Sequence, residues 1–272
     1  MRVISIQNLT RDYGGGRGIF DVSFQVDRGE AFGFLGPNGA GKTTTIRHLM
    51  GFIRPKAGNC TVSGLDCWKS SSEIQKSLGY IPGEISFFDD MTGREFLDFS
   101  AKYQGLSDTA RQKALLERFE LNPKGKIKKM SKGMKQKLGI VSAFMHDPEI
   151  LILDEPTSGL DPLMQSRFIE LIGEEKQRGK TILLSSHMFE EVERTCDRIG
   201  IIREGRLAAV DSVEALRKRH LRTYQVTLDT EASARAFAAD FGGTCSGQTV
   251  TVAARQSLED IFMHYYGGER HD

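Results

Sequence analysis

Long apolar runs are missing from this sequence, so no stretch reaches the roughly 18–20 residues that a membrane-spanning helix needs. The most apolar segment, Ile-Leu-Ile-Leu at residues 150–153, has only the length of a strand. The first seven residues lack the apolar core and the small-residue cleavage site of a signal peptide. We therefore expect a protein that stays in the cytoplasm.

Cysteine is scarce, and neither sign of charge is in excess. The four cysteines (Cys60, Cys67, Cys196 and Cys245) form no C-x-x-C pair, and no histidine lies at ligand spacing from them. This pattern favours reduced thiols over a metal site or a disulfide framework. The net charge of +1, from 37 basic and 36 acidic residues, gives no drive toward nucleic acid, so we expect no nucleic-acid partner.

The sequence does contain a glycine-rich stretch, at residues 36–43, that matches G-x-x-x-x-G-K-T. A buried strand at residues 31–35 precedes it and a helix at residues 44–50 follows it, which is the context of a phosphate loop. Glycine lets backbone N–H groups wrap a polyphosphate closely. The alternative interpretation of this stretch is a glycine-rich turn that binds nothing. The predicted nucleotide-binding residues are Gly36, Pro37, Asn38, Gly39, Ala40, Gly41, Lys42, Thr43 and Thr44.

The last two residues of this stretch have predicted roles. Lys42 would reach the β- and γ-phosphates, and the Thr43 hydroxyl would ligate Mg²⁺. Downstream, Asp154 and Glu155 end an apolar strand, where open α/β sheets place their ligand groups. Asp154 suits a Mg²⁺ site, and Glu155 can polarise a water for attack on the γ-phosphate. The alternative is that both are ordinary loop carboxylates.

Two further residues are candidates by position. His187 ends another apolar strand, which favours contact with the γ-phosphate or the attacking water over a structural role. Tyr13 lies in a glycine-rich turn upstream of the phosphate loop, where its ring could stack on a nucleotide base. The alternative for Tyr13 is a surface residue of that turn.

The order of elements predicts an α/β fold. Apolar strands separated by helices favour a mostly parallel, RecA-like phosphate-loop sheet covered on both faces. Alternating strands at residues 3–6 and 20–26 predict an N-terminal antiparallel β subdomain, and residues 88–146 predict an inserted helical subdomain. Together these form a domain over residues 1–216. The pattern then changes, and residues 217–272 predict a small C-terminal α+β extension with helices at residues 231–241 and 257–266.

Two more stretches carry a family resemblance. Leu-Asp-Glu-Pro-Thr-Ser-Gly-Leu-Asp-Pro at residues 153–162 resembles the Walker B strand and D-loop of an ATP-binding cassette (ABC) transporter ATPase subunit, and Met-Ser-Lys-Gly-Met at residues 130–134 resembles its signature. The resemblance covers residues 1 to about 215. It implies that His187 is the switch histidine, that Tyr13 is the base-stacking aromatic and that Asp161 belongs to the D-loop. The implied signature residues, which contact ATP held by another subunit, are Ser131, Lys132, Gly133 and Met134.

The chain departs from this family pattern in two places. Lys132 and Met134 replace a glycine and a glutamine of the signature. Gly83 stands where the Q-loop glutamine is expected, so that Glu84 or a water molecule would have to fill the place. The tail at residues 257–267 resembles the C-terminal extension of antibiotic and multidrug exporter ATPases.

The resemblance implies an ATPase that uses ATP and Mg²⁺. It further implies a head-to-tail homodimer, or a dimer with a paralogous ATPase subunit. A separate transmembrane permease would dock near the helical block and Gly83, placing the chain peripherally on the cytoplasmic face of the membrane. One alternative is a soluble ABC ATPase that acts on ribosomes or DNA. Another is a regulator that only binds nucleotide, against which Glu155 and His187 argue.

Overall fold

The computed structural model describes residues 1–219 and 221–255. The chain divides into two compact units, Met1–Val210 and Asp211–Asp272. The strands are β1 (Arg2–Gly14), β2 (Arg17–Asp27), β3 (Ala31–Leu35), β4 (Ala57–Val62), β5 (Leu65–Asp66), β6 (Leu78–Ile81), β7 (Ile150–Asp154), β8 (Thr181–Ser186), β9 (Arg198–Arg203), β10 (Arg206–Ser212), β11 (Leu221–Thr227), β12 (Thr244–Ser246) and β13 (Thr249–Arg255). The helices are α1 (Lys42–Leu49), α2 (Ser71–Ser77), α3 (Gly93–Tyr103), α4 (Ala110–Arg118), α5 (Lys132–Phe144), α6 (Pro162–Gln177), α7 (Phe189–Thr195), α8 (Val213–Arg219) and α9 (Glu231–Phe241).

A six-stranded sheet in the order β10-β9-β3-β8-β7-β6 forms the centre of the first unit. β3 pairs parallel with β8 and β9, and β7 pairs parallel with β6 and β8. Every residue of β3, β7 and β8 is buried, which explains why the sequence shows continuous rather than alternating apolar runs there. Because the strands are parallel, their carboxyl ends meet at one edge, where Leu35 pairs with Ser186 and Asp154 with Ser185.

An antiparallel sheet in the order β2-β1-β4-β5 confirms the predicted N-terminal β subdomain. Its strands are anchored to the central sheet by aromatic rings. The ring of Phe24 in β2 stacks on that of Phe32 in β3, with centroids 4.9 Å apart, and lies 5.1 Å from that of Phe34. These rings belong to one continuous core cluster. The two sheets are thus joined by buried apolar contact.

The region between β6 and β7 is mainly helical, as predicted. α3 begins with a capping box, in which Thr92 Oγ1 accepts from the Glu95 amide at 3.1 Å and Glu95 Oε2 accepts from the Thr92 amide at 2.7 Å. Two ion pairs of 2.6 Å, Arg111–Glu175 and Arg118–Glu174, join α4 to α6. Charged side chains therefore make up much of this junction.

The second unit has its own antiparallel sheet, β11-β13-β12, with α9 beside it. The helix runs over Glu231–Phe241 as predicted, capped by the Thr230 hydroxyl and ended by Gly242 in the left-handed conformation. The compact unit begins at Asp211, earlier than the predicted start at residue 217. The helix predicted at residues 257–266 lies outside the described residues.

Within residues 1–219 and 221–255, no helix combines the length and the apolar character needed to cross a bilayer. All four cysteines have free thiols: Cys60, Cys67 and Cys196 are buried, and Cys245 is half-buried.

Candidate nucleotide site

The glycine-rich stretch at residues 36–43 forms the turn between β3 and α1. Gly39 and Gly41 have φ values of 82° and 111°, in the left-handed region where an L side chain is strained. A Cβ on Gly41 would also lie 2.7 Å from Cγ2 of Ile19 in β2. α1 begins at Lys42, so the first amides of the helix are free of helical partners and face the turn. The turn therefore offers N–H groups and a helix N-terminus to an anion.

Lys42 is held over this turn although its side chain is only 5% exposed. Its Nζ donates to the carbonyl oxygens of Gly36 at 2.6 Å and Pro37 at 3.1 Å. The same Nζ lies 3.0 Å from Oε1 of Glu155, an ion-pair distance without the angles of a hydrogen bond. A buried ammonium needs such partners. They place its charge beside the backbone that would bind phosphate.

Asp154 is fully buried at the end of β7. Its Oδ1 accepts from the Ser185 hydroxyl, while its Oδ2 has no hydrogen-bond partner within the described part of the chain. Burial raises the pKa of Asp154, and the hydroxyls of Ser185 and Thr43 act against that rise. An unpartnered carboxylate oxygen beside a hydroxyl is a donor set that suits Mg²⁺. Asp154 and Thr43 therefore fit the cation that the sequence predicts.

Gly83 lies beside the same carboxylate. A Cβ at this position would come 2.9 Å from Asp154 Oδ2 and 3.6 Å from Thr43 Oγ1. The backbone thus passes closer to Asp154 than a side chain allows. Glu84 is exposed, so whether Glu84 or a water molecule fills this place stays a prediction.

Glu155 follows β7 with a φ of 49°, a conformation that few residues other than glycine adopt. Its amide donates to the carbonyl oxygen of Ser185 at 3.1 Å, which fixes the backbone. Its Oε2 lies 2.5 Å from Nδ1 of His187, the half-exposed residue that follows β8. Glu155 is therefore bracketed by His187 on one oxygen and Lys42 on the other.

A cavity of about 480 Å³ opens between the glycine-rich turn and the β1–β2 hairpin. The predicted residues that line it are Tyr13, Asn38, Gly39, Gly41, Lys42, Thr43, Thr44 and Glu155. The others predicted near the nucleotide (Gly36, Pro37, Ala40, Asp154 and His187) are not among its lining residues. The cavity joins the turn to the edge of the antiparallel sheet, and it therefore has room for both ends of a nucleotide.

Tyr13 lies in a different element from the one predicted. β1 continues to Gly14, which pairs with Arg17, so Tyr13 stands near the end of a strand rather than in the glycine-rich turn. Its ring is half exposed, and the Arg11 guanidinium lies 5.4 Å from the ring centroid. The exposed face remains available for stacking on a base.

The four predicted signature residues lie at the start of α5, and none of them lines the cavity. Ser131 caps the helix, its Oγ accepting from the Met134 amide at 3.2 Å. The Lys132 Nζ donates to Ser158 Oγ at 3.0 Å, which links the signature to the segment after Glu155. Ser131, Lys132 and Met134 are exposed, and Gly133 is half-buried.

Asp161 caps α6, its Oδ1 accepting from the Met164 amide at 3.0 Å. The proline at the first position of this helix is a common helix start.

Several residues at the site were not predicted. Arg17 and Glu204 line the cavity, and Ser185 and Ser186 hold the strand-end groups. The two serines directly precede His187 at the end of an apolar run, a signal that could have identified them. Arg17 begins β2 and Glu204 lies in the turn before β10, and only the tertiary fold brings these residues to the phosphate loop.

These contacts define a class, the phosphate-loop proteins that bind a nucleoside triphosphate. Comparison with known proteins narrows it. The family model described as "ABC transporter" matches residues 19–158. The chain belongs to that family, and as a member it binds and hydrolyses ATP.

Three relatives illustrate the similarity. The bacitracin transport ATP-binding protein BcrA of Bacillus licheniformis is 39% identical over 235 residues, which cover 85% of this chain and 77% of the relative. The Nod factor export ATP-binding protein I of Burkholderia lata is 38% identical over 218 residues, covering 78% and 72%. The solved structure of an ATP-binding subunit of an ABC transporter is 35% identical, with a TM-score of 0.73, and covers 80% of this chain and 92% of that one.

Proposed function

We propose that this chain is the ATP-hydrolysing subunit of an exporter and that it drives transport through a separate membrane permease. The observation that carries the hydrolytic role is the position of Glu155, which is held between Lys42 and His187 at the strand edge beside Asp154. The export role is supported by the similarity to proteins named for bacitracin transport and Nod factor export.

ATP would lie in the cavity between the β1–β2 hairpin and the glycine-rich turn. The half-exposed ring of Tyr13 suits the base, and the amides of residues 38–43 suit the phosphates. The Lys42 ammonium already lies beside this turn, where two carbonyl oxygens and the Glu155 carboxylate hold it. The γ-phosphate would compete with Glu155 for the ammonium, and so release the carboxylate for catalysis.

Asp154 and Thr43 would hold Mg²⁺, which supplies positive charge to the β- and γ-phosphate oxygens. The unpartnered Oδ2 of Asp154 is the observation behind this assignment. Ser185 holds the other carboxylate oxygen and so orients the group.

Glu155 would take the proton of a water molecule whose oxygen attacks the γ-phosphorus. The bond between that phosphorus and the β–γ bridging oxygen breaks, ADP leaves with the bridging oxygen, and phosphate carries the oxygen of the water. His187 lies within hydrogen-bonding distance of Glu155, and it would hold the carboxylate in place for this step.

A second subunit would complete the site. The chain carries both a phosphate loop and a signature, and the signature residues 131–134 do not line their own cavity. A head-to-tail homodimer would bring Ser131 and Gly133 of one copy to the ATP of the other and build two equal sites. A paralogous ATPase subunit with the same two surfaces could take the place of the second copy. Asp161 and its neighbours would lie in the same interface.

The permease would dock near the helical region and Gly83, which places the chain peripherally on the cytoplasmic face of the membrane. Co-purification tests this proposal. The tagged chain with Glu155→Gln, which should hold the ATP-bound state, would be isolated from its native cells beside a tagged Lys42→Ala control. We expect recovery of a polytopic membrane protein with the first variant. Recovery of ribosomes or DNA without membrane protein would overturn the proposal in favour of a soluble ABC ATPase.

A further inference from the structure

A buried carboxyl that has no part in the scheme above lies close to the catalytic groups. Glu191, in the first turn of α7, is only 2% exposed. Its Oε2 accepts from the Ser186 hydroxyl at 2.6 Å, and its Oε1 has no hydrogen-bond partner in the described ranges. A carboxyl is costly to bury and is rarely found inside unless it is paired.

The partner of Glu191 controls the turn that carries His187. The Ser186 Oγ accepts from the amide of Met188 at 2.9 Å while it donates to Glu191. The contact with Met188 spans His187 and closes its turn, and the contact with Glu191 holds the Ser186 hydroxyl in place. The carbonyl oxygen of Ser186 also accepts from the amide of Gly36, the first residue of the glycine-rich turn, at 3.3 Å. Glu191 thus ends a chain of hydrogen bonds that begins at the phosphate loop.

Glu191 also faces the segment that follows Glu155. A cavity of about 150 Å³ between α6 and α7 is lined by Glu191, Met188 and Thr157, among others. The Thr157 hydroxyl lies near the Glu191 carboxyl and acts to lower its pKa. Thr157 is itself buried. The carboxyl therefore lies between the loops that follow the two catalytic strands, β7 and β8.

We propose that Glu191 is a positioning residue for hydrolysis, and that its buried carboxyl holds the Ser186–Met188 turn so that His187 meets Glu155. The inference rests on the proposed roles of Glu155 and His187. Glu191 acts through Ser186 and does not line the nucleotide cavity.

The charged groups that act on Glu191 include the catalytic residues Glu155 and His187. Burial is the main cause that raises its pKa to about 7; the hydroxyls of Ser186 and Thr157 lower it, Glu155 raises it and His187 lowers it. The other charged groups near it on α7 are Glu190 and Arg194, which pair with each other at 3.6 Å and line the same cavity. Glu155 and His187 are charged groups from outside its own helix that act on the pKa of Glu191, and the Glu191 charge in turn acts on the Cys196 thiol just after α7.

The test is a spectroscopic measurement on the full chain without nucleotide, so that it does not depend on hydrolysis. Histidine-labelled protein would give the imidazole signals in a carbon–proton NMR spectrum, with His187 assigned by its absence in His187→Gln. We expect Glu191→Ala to shift or broaden the His187 signal, because the turn loses its hydrogen-bond acceptor. Glu191→Gln keeps an acceptor and should leave the signal near its wild-type position. Glu190→Ala, an exposed neighbour on the same helix, is the matched control.

ATP turnover supplies the second readout. A positioning defect should lower kcat of Glu191→Ala by about 10- to 100-fold while KM stays within about twofold. Ser186→Ala removes the hydroxyl at the other end of the contact and should reproduce both effects, which keeps the test open if Glu191→Ala does not fold. A His187 signal that is unchanged in both variants would overturn the proposal. A fall in kcat in Glu191→Gln equal to that in Glu191→Ala would also overturn it. If the variants show the NMR changes but the wild-type chain does not hydrolyse ATP, the result contradicts the proposed function instead.

Discussion

Nδ1 of His187 lies 2.5 Å from Oε2 of Glu155, although the two residues end different strands and are 32 positions apart in the sequence. Neither side chain is held by its own strand alone. Ser185 fixes the backbone of Glu155, and Ser186 closes the turn around His187. The register of β7 against β8 is therefore what brings the two groups together.

Glu155→Gln should abolish turnover and keep ATP binding. The amide preserves the size of the side chain but cannot take a proton, so we expect kcat to fall by about 100-fold or more. With ATP and Mg²⁺ the variant should accumulate as a dimer in size-exclusion chromatography. Glu117→Gln, on the exposed face of α4, controls for the loss of one negative charge. Undiminished turnover in Glu155→Gln would reject Glu155 as the base.

Lys42→Ala should weaken ATP binding by about 10- to 100-fold, because it removes a charge-assisted contact with phosphate worth about 1.5–3 kcal/mol. Titration calorimetry with ATP and Mg²⁺ measures this directly. Lys113→Ala, at an exposed position of α4, should bind like the wild type. A normal affinity in Lys42→Ala would contradict the role of the phosphate loop.

Gly83→Ala should weaken the binding of the divalent cation rather than the binding of the nucleotide. The added Cβ would come 2.9 Å from Asp154 Oδ2, so the carboxylate has to move or the loop has to shift. At a cost of about 1.4 kcal/mol, Mn²⁺ affinity in the presence of ATP would fall about tenfold, as measured by electron paramagnetic resonance. Gly125→Ala is a suitable control, since no other atom of the described structure lies within 4 Å of its added Cβ. Equal Mn²⁺ affinities in the two variants would argue against a cation at Asp154.

Glu191 should make folding stability depend on pH. Its folded pKa of about 7 lies above its ordinary value of 4.5, so the folded state holds the proton more tightly. The stabilisation is fully present below pH 4.5 and is lost as the pH rises through 7. Glu191→Gln is neutral throughout. Urea unfolding at pH 5 and pH 8 should therefore show the wild type losing stability relative to Glu191→Gln at the higher pH. A constant difference between the two proteins would mean that Glu191 does not titrate in this range.

The phosphate loop and the buried strands were predictable because their signals are local. Five consecutive apolar residues before Gly36, and an apolar run before Asp154, suffice to predict strands of a parallel sheet. The strand-end rule then predicts where the acids gather. Lys42 and Thr43 follow from the motif itself, and Thr44 directly follows them.

What the sequence could not supply depends on tertiary contact. The glycines after Tyr13 indicate a turn, but pairing with β2 extends β1 through Gly14 and places Tyr13 in the strand. Glu190 and Glu191 are chemically identical neighbours, and only the packing of α7 buries the second. The close approach of Gly83 to Asp154 likewise follows from the path of a loop that no local pattern specifies.

The first unit has two kinds of seam, and they differ in stiffness. Stacked rings of Phe24 and Phe32 fasten the sheet that carries Tyr13 to the sheet that carries the phosphate loop, and interlocked buried rings resist sliding. The seam between α4 and α6 includes ion pairs of Arg118 with the exposed Glu170 and Glu174, where each pair contributes little. The base and the phosphates of a nucleotide would thus contact two sheets that buried rings hold together. The helix α5, which carries the signature, is also joined to α6 by buried rings, those of Phe144 and Phe168, so only the α4 contact depends mainly on charge. Salt should loosen the second seam and leave the first unchanged.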